Sequence, residues 1–140
     1  MTPLRSPGSS HSGTVRETRT FDARGQILGR LATAIAHVLR GKDQPTWVPY
    51  RDLGARVIVT NTDALRVTGE KLVKKLLFRH TQRKPGAFRI KTLEQRLARD
   101  SREVVRTAVW NMLPKNRLRH RMITRLALHK GEAPEASSTP

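Results

Sequence analysis

Three kinds of residue in this sequence could carry chemistry: a glycine-spaced turn, a scatter of histidines and carboxylates, and dense runs of lysine and arginine. The turn Gly25-Gln26-Ile27-Leu28-Gly29-Arg30 invites comparison with a phosphate-binding loop. That loop needs Gly-x-x-x-x-Gly-Lys-Ser/Thr, so that the lysine reaches the phosphates and the hydroxyl holds magnesium. Here the glycines stand too close and Arg30-Leu31 replaces the Lys-Ser/Thr pair, so the expectation is a tight strand-to-helix turn. His80, His120 and His129 lack the i, i+4 spacing that sets two imidazoles on one helical face around a metal. His80 and His120 also lie among arginines, which suits a surface position. Asp22, Asp52, Asp63 and Asp100 are spread over turns and helix starts, where capping accounts for them, and no carboxylate pair suggests acid/base work. No cofactor, metal site, small-molecule substrate or catalytic residue is expected.

The basic runs are different in kind. From Lys71 to Lys91 the charges are Lys71, Lys74, Lys75, Arg79, Arg83, Lys84, Arg89 and Lys91, with no acid among them. A merely solvated face would interleave Glu or Asp at i, i+4. The segment Gln82-Arg83-Lys84-Pro85-Gly86 reads as an exposed loop tip able to follow a phosphate backbone, since Gly and Pro add little bulk and Arg forks onto phosphate oxygens. A second one-signed stretch, MLPKNRLRHR, holds Lys115, Arg117, Arg119 and Arg121. On a helix continuing to Arg125, Leu118, Met122 and Leu126 form one stripe, and Arg117, Arg121 and Arg125 form the next, about 100° away. One side packs; the neighbouring side faces a polyanion.

Composition points the same way. The 140 residues carry 28 Lys+Arg against 11 Asp+Glu, a formal net charge of +17. Self-repulsion at that charge opposes compaction unless a polyanion neutralises it in the working state. Nucleic acid is the first candidate and an anionic membrane surface the second. Aromatic residues make up only 4%, so base stacking is not the main binding device. The absence of cysteine removes disulfides, thiol catalysis and Cys-ligated zinc. No apolar run approaches the roughly 18 residues of a membrane span.

These residues need elements to position them. Residues 1–19 form an Arg- and Ser-rich, acid-poor leader, expected to be a flexible basic extension and similar in composition to an organelle transit segment. Residues 131–140 form a polar tail, leaving 20–130 as a single body domain. Within it, Thr20 to Ala23 is a strand candidate. Leu28, Leu31, Ala32, Ile35 and Leu39 then recur at helical spacing, and Gly41 stands where a C-terminal cap belongs. The doubly proline-marked segment QPTWVPYRDLG is a loop. Val57 to Thr60 suits a buried strand, and a turn at Asn61 to Asp63 leads to a second, Leu65 to Thr68. Lys71 to Thr81 reads as one helical turn followed by a strand. Thr92 with Gln95 and Asp100 with Glu103 have capping-box spacing and start two helices, the second ended by Pro114. A last helix from about Arg117 to Arg125 runs into a short strand in LALHKG. Strands alternating with helices give an α/β domain with a partly parallel sheet.

Four segments in order, FDARGQILGRLATAIAHVLRGK, VIVTNTDALRVTGEK, the Phe-Arg-His-Thr stretch and MLPKNRLRHRMITRLALHKG, resemble the large-subunit ribosomal protein thirteen family in its bacterial and organellar form, over roughly Phe21 to Glu132. The resemblance implies a three-layer α/β/α sandwich around a small, mostly parallel sheet, with no catalytic activity. It implies binding to large-subunit ribosomal RNA beside neighbouring large-subunit proteins, and a role early in subunit assembly. Carried over position by position, it directs attention to the Leu39-Arg40-Gly41-Lys42 turn, the region around Thr68-Gly69-Glu70-Lys71, Arg79-His80-Thr81 and Met112-Leu113-Pro114-Lys115. With the basic runs, the expected RNA-facing residues are Arg40, Lys42, Lys71, Lys74, Lys75, Arg79, His80, Arg83, Lys84, Lys115, Arg117, Arg119, Arg121 and Arg125. The chain departs from the family pattern at Trp110-Asn111, where Lys-Gly is usual, near Arg119, where a Gly is usual, and at Gln82, where a Gly follows the His-Thr element.

The reading is a structural RNA-binding protein that holds RNA helices by phosphate contacts and shape. The leader points to a mitochondrial ribosome, with plastid and bacterial ribosomes as alternatives. A nucleic-acid-processing enzyme would need a carboxylate or histidine cluster beside its groove. A peripheral membrane protein would need a basic helix with a free apolar face.

Overall fold

A computed structural model describes residues 16–80 and 86–132 of the chain. Most of the leader and of the C-terminal tail therefore lies outside the described residues, as do Arg83 and Lys84 of the expected loop tip. The first strand, β1 (Thr18–Asp22), begins inside the expected leader, because Thr18 and Arg19 pair with Arg56 and Val57. Helix α1 (Leu28–Arg40) has the expected bounds and buries Leu31, Ala32, Ile35, Ala36, Val38 and Leu39 along one side. It stops at Gly41, whose φ of 77° is the left-handed conformation a helix end requires and a side chain resists.

Strand β2 (Arg56–Thr60) lies between β1 and the short C-terminal β5 (Leu126–Leu128), parallel to both. Residues in register share a face, so Phe21, Val57, Val59, Leu126 and Leu128 point the same way, into the core. Helices α1, α4 (Ser101–Met112) and α5 (Leu118–Thr124) supply the rest of that core through Leu31, Ile35, Leu39, Val105, Val109 and Met122. Each such side chain gains roughly 1.5–3 kcal/mol on burial, and Ile35→Ala would forfeit roughly 2–5 kcal/mol. The opposite sheet face carries Thr18, Thr20, Asp22 and Arg56, all exposed, beside half-buried Ile58 and Ala127.

The expected strand at Leu65 to Thr68 is reduced to one parallel bridge, Ile27 with Arg66. Its would-be partner is consumed by the start of α1 at Leu28, whose N–H already donates to the Arg66 carbonyl at 3.0 Å. Beyond the left-handed Gly69, α2 (Lys71–Lys74) leads into β3 (Leu76–His80), the expected helical turn and strand. A strand the pattern did not announce, β4 (Phe88–Thr92), returns antiparallel to β3 and completes a hairpin. Thr92 then caps α3 (Leu93–Arg99) through the expected reciprocal pair with Gln95. Asp100 caps α4 at the Arg102 N–H, but its box stays open because Glu103 turns to Arg96. The α/β class with a mostly parallel small sheet is what the chain adopts.

Candidate nucleic-acid interface

The basic residues fall into four groups, each held by a different local device. At the end of α1, Gly41 lets the chain reverse onto Gly54, where an added Cβ would come within 1.8 Å of the Leu39 carbonyl oxygen. On this loop Trp47 lies beneath two cations, with the Arg40 guanidinium 5.1 Å and the Lys42 ammonium 5.6 Å from its ring centre. Trp47 was not singled out in the sequence, although its placement five residues after Lys42 in a proline-bounded loop is the available signal. Tyr50 on the same loop is exposed.

The second group sits on α2. Lys71, Lys74 and Lys75 are exposed and, with Glu70, line a shallow surface hollow. Lys74 pairs with Glu70, while Lys71 and Lys75 have no carboxylate partner among the described residues. The third group is the hairpin, where Arg79 stands opposite Arg89 in register and both are exposed. Two like charges directly opposite are unfavourable unless an anion lies over them. Arg89 stands with the exposed cations of the hairpin, a placement that follows from the unforeseen β4. His80 ends β3 opposite Phe88. Arg83 and Lys84 lie outside the described residues.

The fourth group follows Pro114. Lys115, Arg117 and Arg121 are exposed, with no carboxylate partner among the described residues. Arg119 is different: its guanidinium lies 4.0 Å from the centre of the Trp110 ring and donates from Nε to the Trp110 carbonyl at 2.9 Å. His120 approaches the same indole edge-on at 5.1 Å. The two departures Trp110 and Arg119 thus meet each other, and Arg119 ties the turn to the end of α4.

Arg125 corrects the sequence reading. It lies beyond the last turn of α5, not on its outer stripe, because the helix ends at Thr124. Its side chain is 10% exposed and forks onto Asp52, Nη1 to Oδ2 at 2.5 Å and Nη2 to Oδ1 at 2.6 Å. Nη2 also donates to the Leu39 carbonyl at 3.0 Å. A guanidinium forked this way clamps the 41–55 loop to the end of α1 through both Nη groups, leaving its buried Nε without a partner among the described residues.

The carboxylates that could have served catalysis are engaged in structure. Asp22 accepts from the Arg24 N–H and the Asn61 amide, and these two bonds hold its carboxyl below the usual range. The Arg102 side chain does the same for Asp100. Asp63 accepts from Ser101 Oγ, whose oxygen also lies 2.8 Å from Thr62 Oγ1. Among the described residues there is no group of three or more His, Cys, Asp or Glu able to hold a metal, and no helix long and apolar enough to cross a membrane.

An interface built from cations on several elements, with the acids spent elsewhere, is what a polyanion-binding scaffold requires. Comparison with known proteins adds the ancestry: the family described as Ribosomal protein L13 matches residues 16–135. This chain belongs to that family. The large ribosomal subunit protein uL13 of Aquifex aeolicus is 47% identical over 126 residues, covering 89% of this chain and 87% of the relative. The protein of the same name from a Roseiflexus strain is 44% identical over 126 residues, covering 89% and 86%. That of a Synechocystis strain is 43% identical over 121 residues, covering 86% and 80%. The family match takes in all four basic groups, from Arg40 to Arg121, and the Arg125 clamp.

Proposed function

We propose that this L13-family chain is a structural constituent of the large ribosomal subunit. It binds large-subunit ribosomal RNA through exposed cations that meet phosphates, supports assembly of the subunit beside neighbouring ribosomal proteins, and catalyses nothing. The observation that carries the reading is the set of exposed Lys71, Lys75, Arg79, Arg89, Lys115, Arg117 and Arg121, without carboxylate partners among the described residues, around a core that engages its own carboxylates. Phosphate oxygens are the acceptors such side chains lack, and A-form RNA is held by backbone and shape in this way. Arg40 and Lys42 join them at the Trp47 loop, and Arg119 and Arg125 serve by fixing the surfaces that carry the others. His80, together with Arg83 and Lys84 outside the described residues, joins the proposed RNA contacts on the strength of the one-signed sequence run. The body domain, from β1 to Lys130, is the RNA-binding unit.

Neither other reading gains support. An enzyme needs free acids beside the basic groove. A membrane-surface helix needs an apolar face, whereas Met122 of α5 is 2% exposed and Leu118 and Ile123 pack on the core. Liposome binding compared with ribosomal RNA binding separates the membrane reading from this one. The deciding test is sedimentation of the native chain through a gradient. Co-migration with the large subunit is expected, and a chain found only at the top of the gradient contradicts the proposal.

The leader's composition supports a mitochondrial ribosome as the place of work, while the bacterial relatives support the bacterial cytoplasm. A fluorescent fusion of residues 1–19 tests the first in a eukaryotic cell. Mitochondrial fluorescence supports it, and purely cytosolic fluorescence removes it.

A further inference from the structure

The β3–β4 hairpin has two unlike faces. Opposed residues of an antiparallel pair share a face, so Phe78 and Ile90 stand together, with Leu76 and Phe88 two residues along each strand on the same side. Leu77, Arg79, Arg89 and Lys91 stand on the other. The first face is open: Leu76, Phe78, Phe88 and Ile90 are 47%, 66%, 54% and 50% exposed. Val73, just ahead in α2, is 66% exposed. These five are most of the large hydrophobic side chains left exposed among the described residues, and a two-stranded ribbon has no second layer of its own to cover them.

Charge complementarity assigns different occupants to the two sides. The Arg79–Arg89 side asks for an anion. Leu76, Phe78, Phe88, Ile90 and Thr92 carry no charge, and the one titratable position on this face is His80, at the end of the ladder opposite Phe88. Bases are a poor complement too, because Leu76 and Ile90 offer no π face, and the Phe78 and Phe88 rings meet at 60° with centres 5.9 Å apart rather than forming a flat platform. We infer that the hairpin is a two-sided bridge: Arg79 and Arg89 lie on ribosomal RNA, and Leu76, Phe78, Phe88 and Ile90 dock on an apolar surface of a neighbouring protein of the subunit. This rests on the ribosomal function proposed above and names the partner class of one part of that interface.

The test places a photoreactive benzophenone amino acid at Phe78, Ile90 or Arg89 of the full chain in cells, purifies large subunits after irradiation, and treats the adducts with ribonuclease or protease. Positions 78 and 90 are expected to give protein adducts that survive ribonuclease, and position 89 an RNA adduct. RNA adducts from 78 and 90, or no adduct from either while 89 joins RNA, overturn the two-sided assignment and leave the ribosomal function standing. A chain absent from subunits at all three positions overturns that function and the bridge with it. The double variant Phe78→Ser, Ile90→Ser supplies a second readout. It should melt like the parent and bind isolated ribosomal RNA with parental affinity, yet be retained in salt-washed subunits about tenfold less, the loss of one interface hot spot. Parental retention with weakened RNA binding would contradict the proposal.

Discussion

The end of α5 and the β3–β4 hairpin use the same residue for opposite purposes. Arg125 donates from both Nη groups inward, to Asp52 and to the open carbonyl at the end of α1. Arg79 and Arg89 face each other across two strands in solvent, with no carboxylate partner among the described residues. The difference is set by what the backbone leaves within reach. A helix end exposes carbonyls and a loop folded against it can bring an acid, whereas no element folds a carboxylate against the β3–β4 ribbon at Arg79 and Arg89 among the described residues. Net charge therefore overstates an interface, since a cation counts toward RNA only where the fold has not already found it an acceptor.

Removing the inward arginine should cost most. Arg125→Ala leaves the Asp52 carboxylate, 12% exposed, and the Leu39 carbonyl without their donor, and a broken buried pair costs about 3 kcal/mol at the low end of its range. The low end applies because Arg16 also reaches Asp52, at 3.8 Å. Denaturant melts should show the loss, while molecules that remain folded keep the parental salt dependence of RNA binding.

An intermediate effect is expected at Arg119. Arg119→Gln removes the stacking on Trp110 and the bonds to its carbonyl, for about 1 to 2 kcal/mol in the melt. A melt unchanged from the parent would place Arg119 with the outward cations instead. At the hairpin the sign reverses. Arg79→Gln with Arg89→Gln should stabilise the free protein by a few tenths of a kcal/mol, up to about 0.5, because it relieves repulsion without touching the core. A clear destabilisation there would erase the contrast with Arg125.

Much of this fold is legible in the sequence where one period or one cap dominates. The apolar spacing of α1 with Gly41, the capping box at Thr92 and the Pro114 stop each specify their element locally. The hairpin is harder to read, because neither face of β4 is buried and Phe88-Arg89-Ile90-Lys91 alternates without a core to confirm it. The strand expected at Leu65 is absent for a nonlocal reason: its partner chain turns into α1 after a single residue. The interface follows the same division. One-signed runs reveal Lys71, Arg79 and Arg121, but spacing alone set Arg125 on the stripe of Arg117 and Arg121. Only the loop folding back at Gly54 shows that it is taken.

The smallest effect expected is on the acid side. Asp22 and Asp100 have folded pKa values below their unfolded ones, so their stabilising contribution is present above the unfolded value, about 3.9, and is lost as pH falls through the folded value. Asp22 is exposed and Asp100 is partly so, each screened by solvent, so the melting temperature should fall only gently below about pH 4 on their account. Asp22→Asn with Asp100→Asn should flatten that limb and leave the neutral-pH RNA affinity unchanged.

The central claim is that the outward cations, and not the inward ones, hold phosphate. Its most direct measurement is a salt series of ribosomal RNA affinity on four proteins: the parent, Arg79→Gln with Arg89→Gln, Arg117→Gln with Arg121→Gln, and Arg119→Gln. Each lost phosphate contact lowers the log–log slope by roughly 0.7, so each double variant should lose about 1.4 from the slope while Arg119→Gln runs parallel to the parent. Parental slopes in both double variants, or a slope lost only at Arg119, would contradict the account.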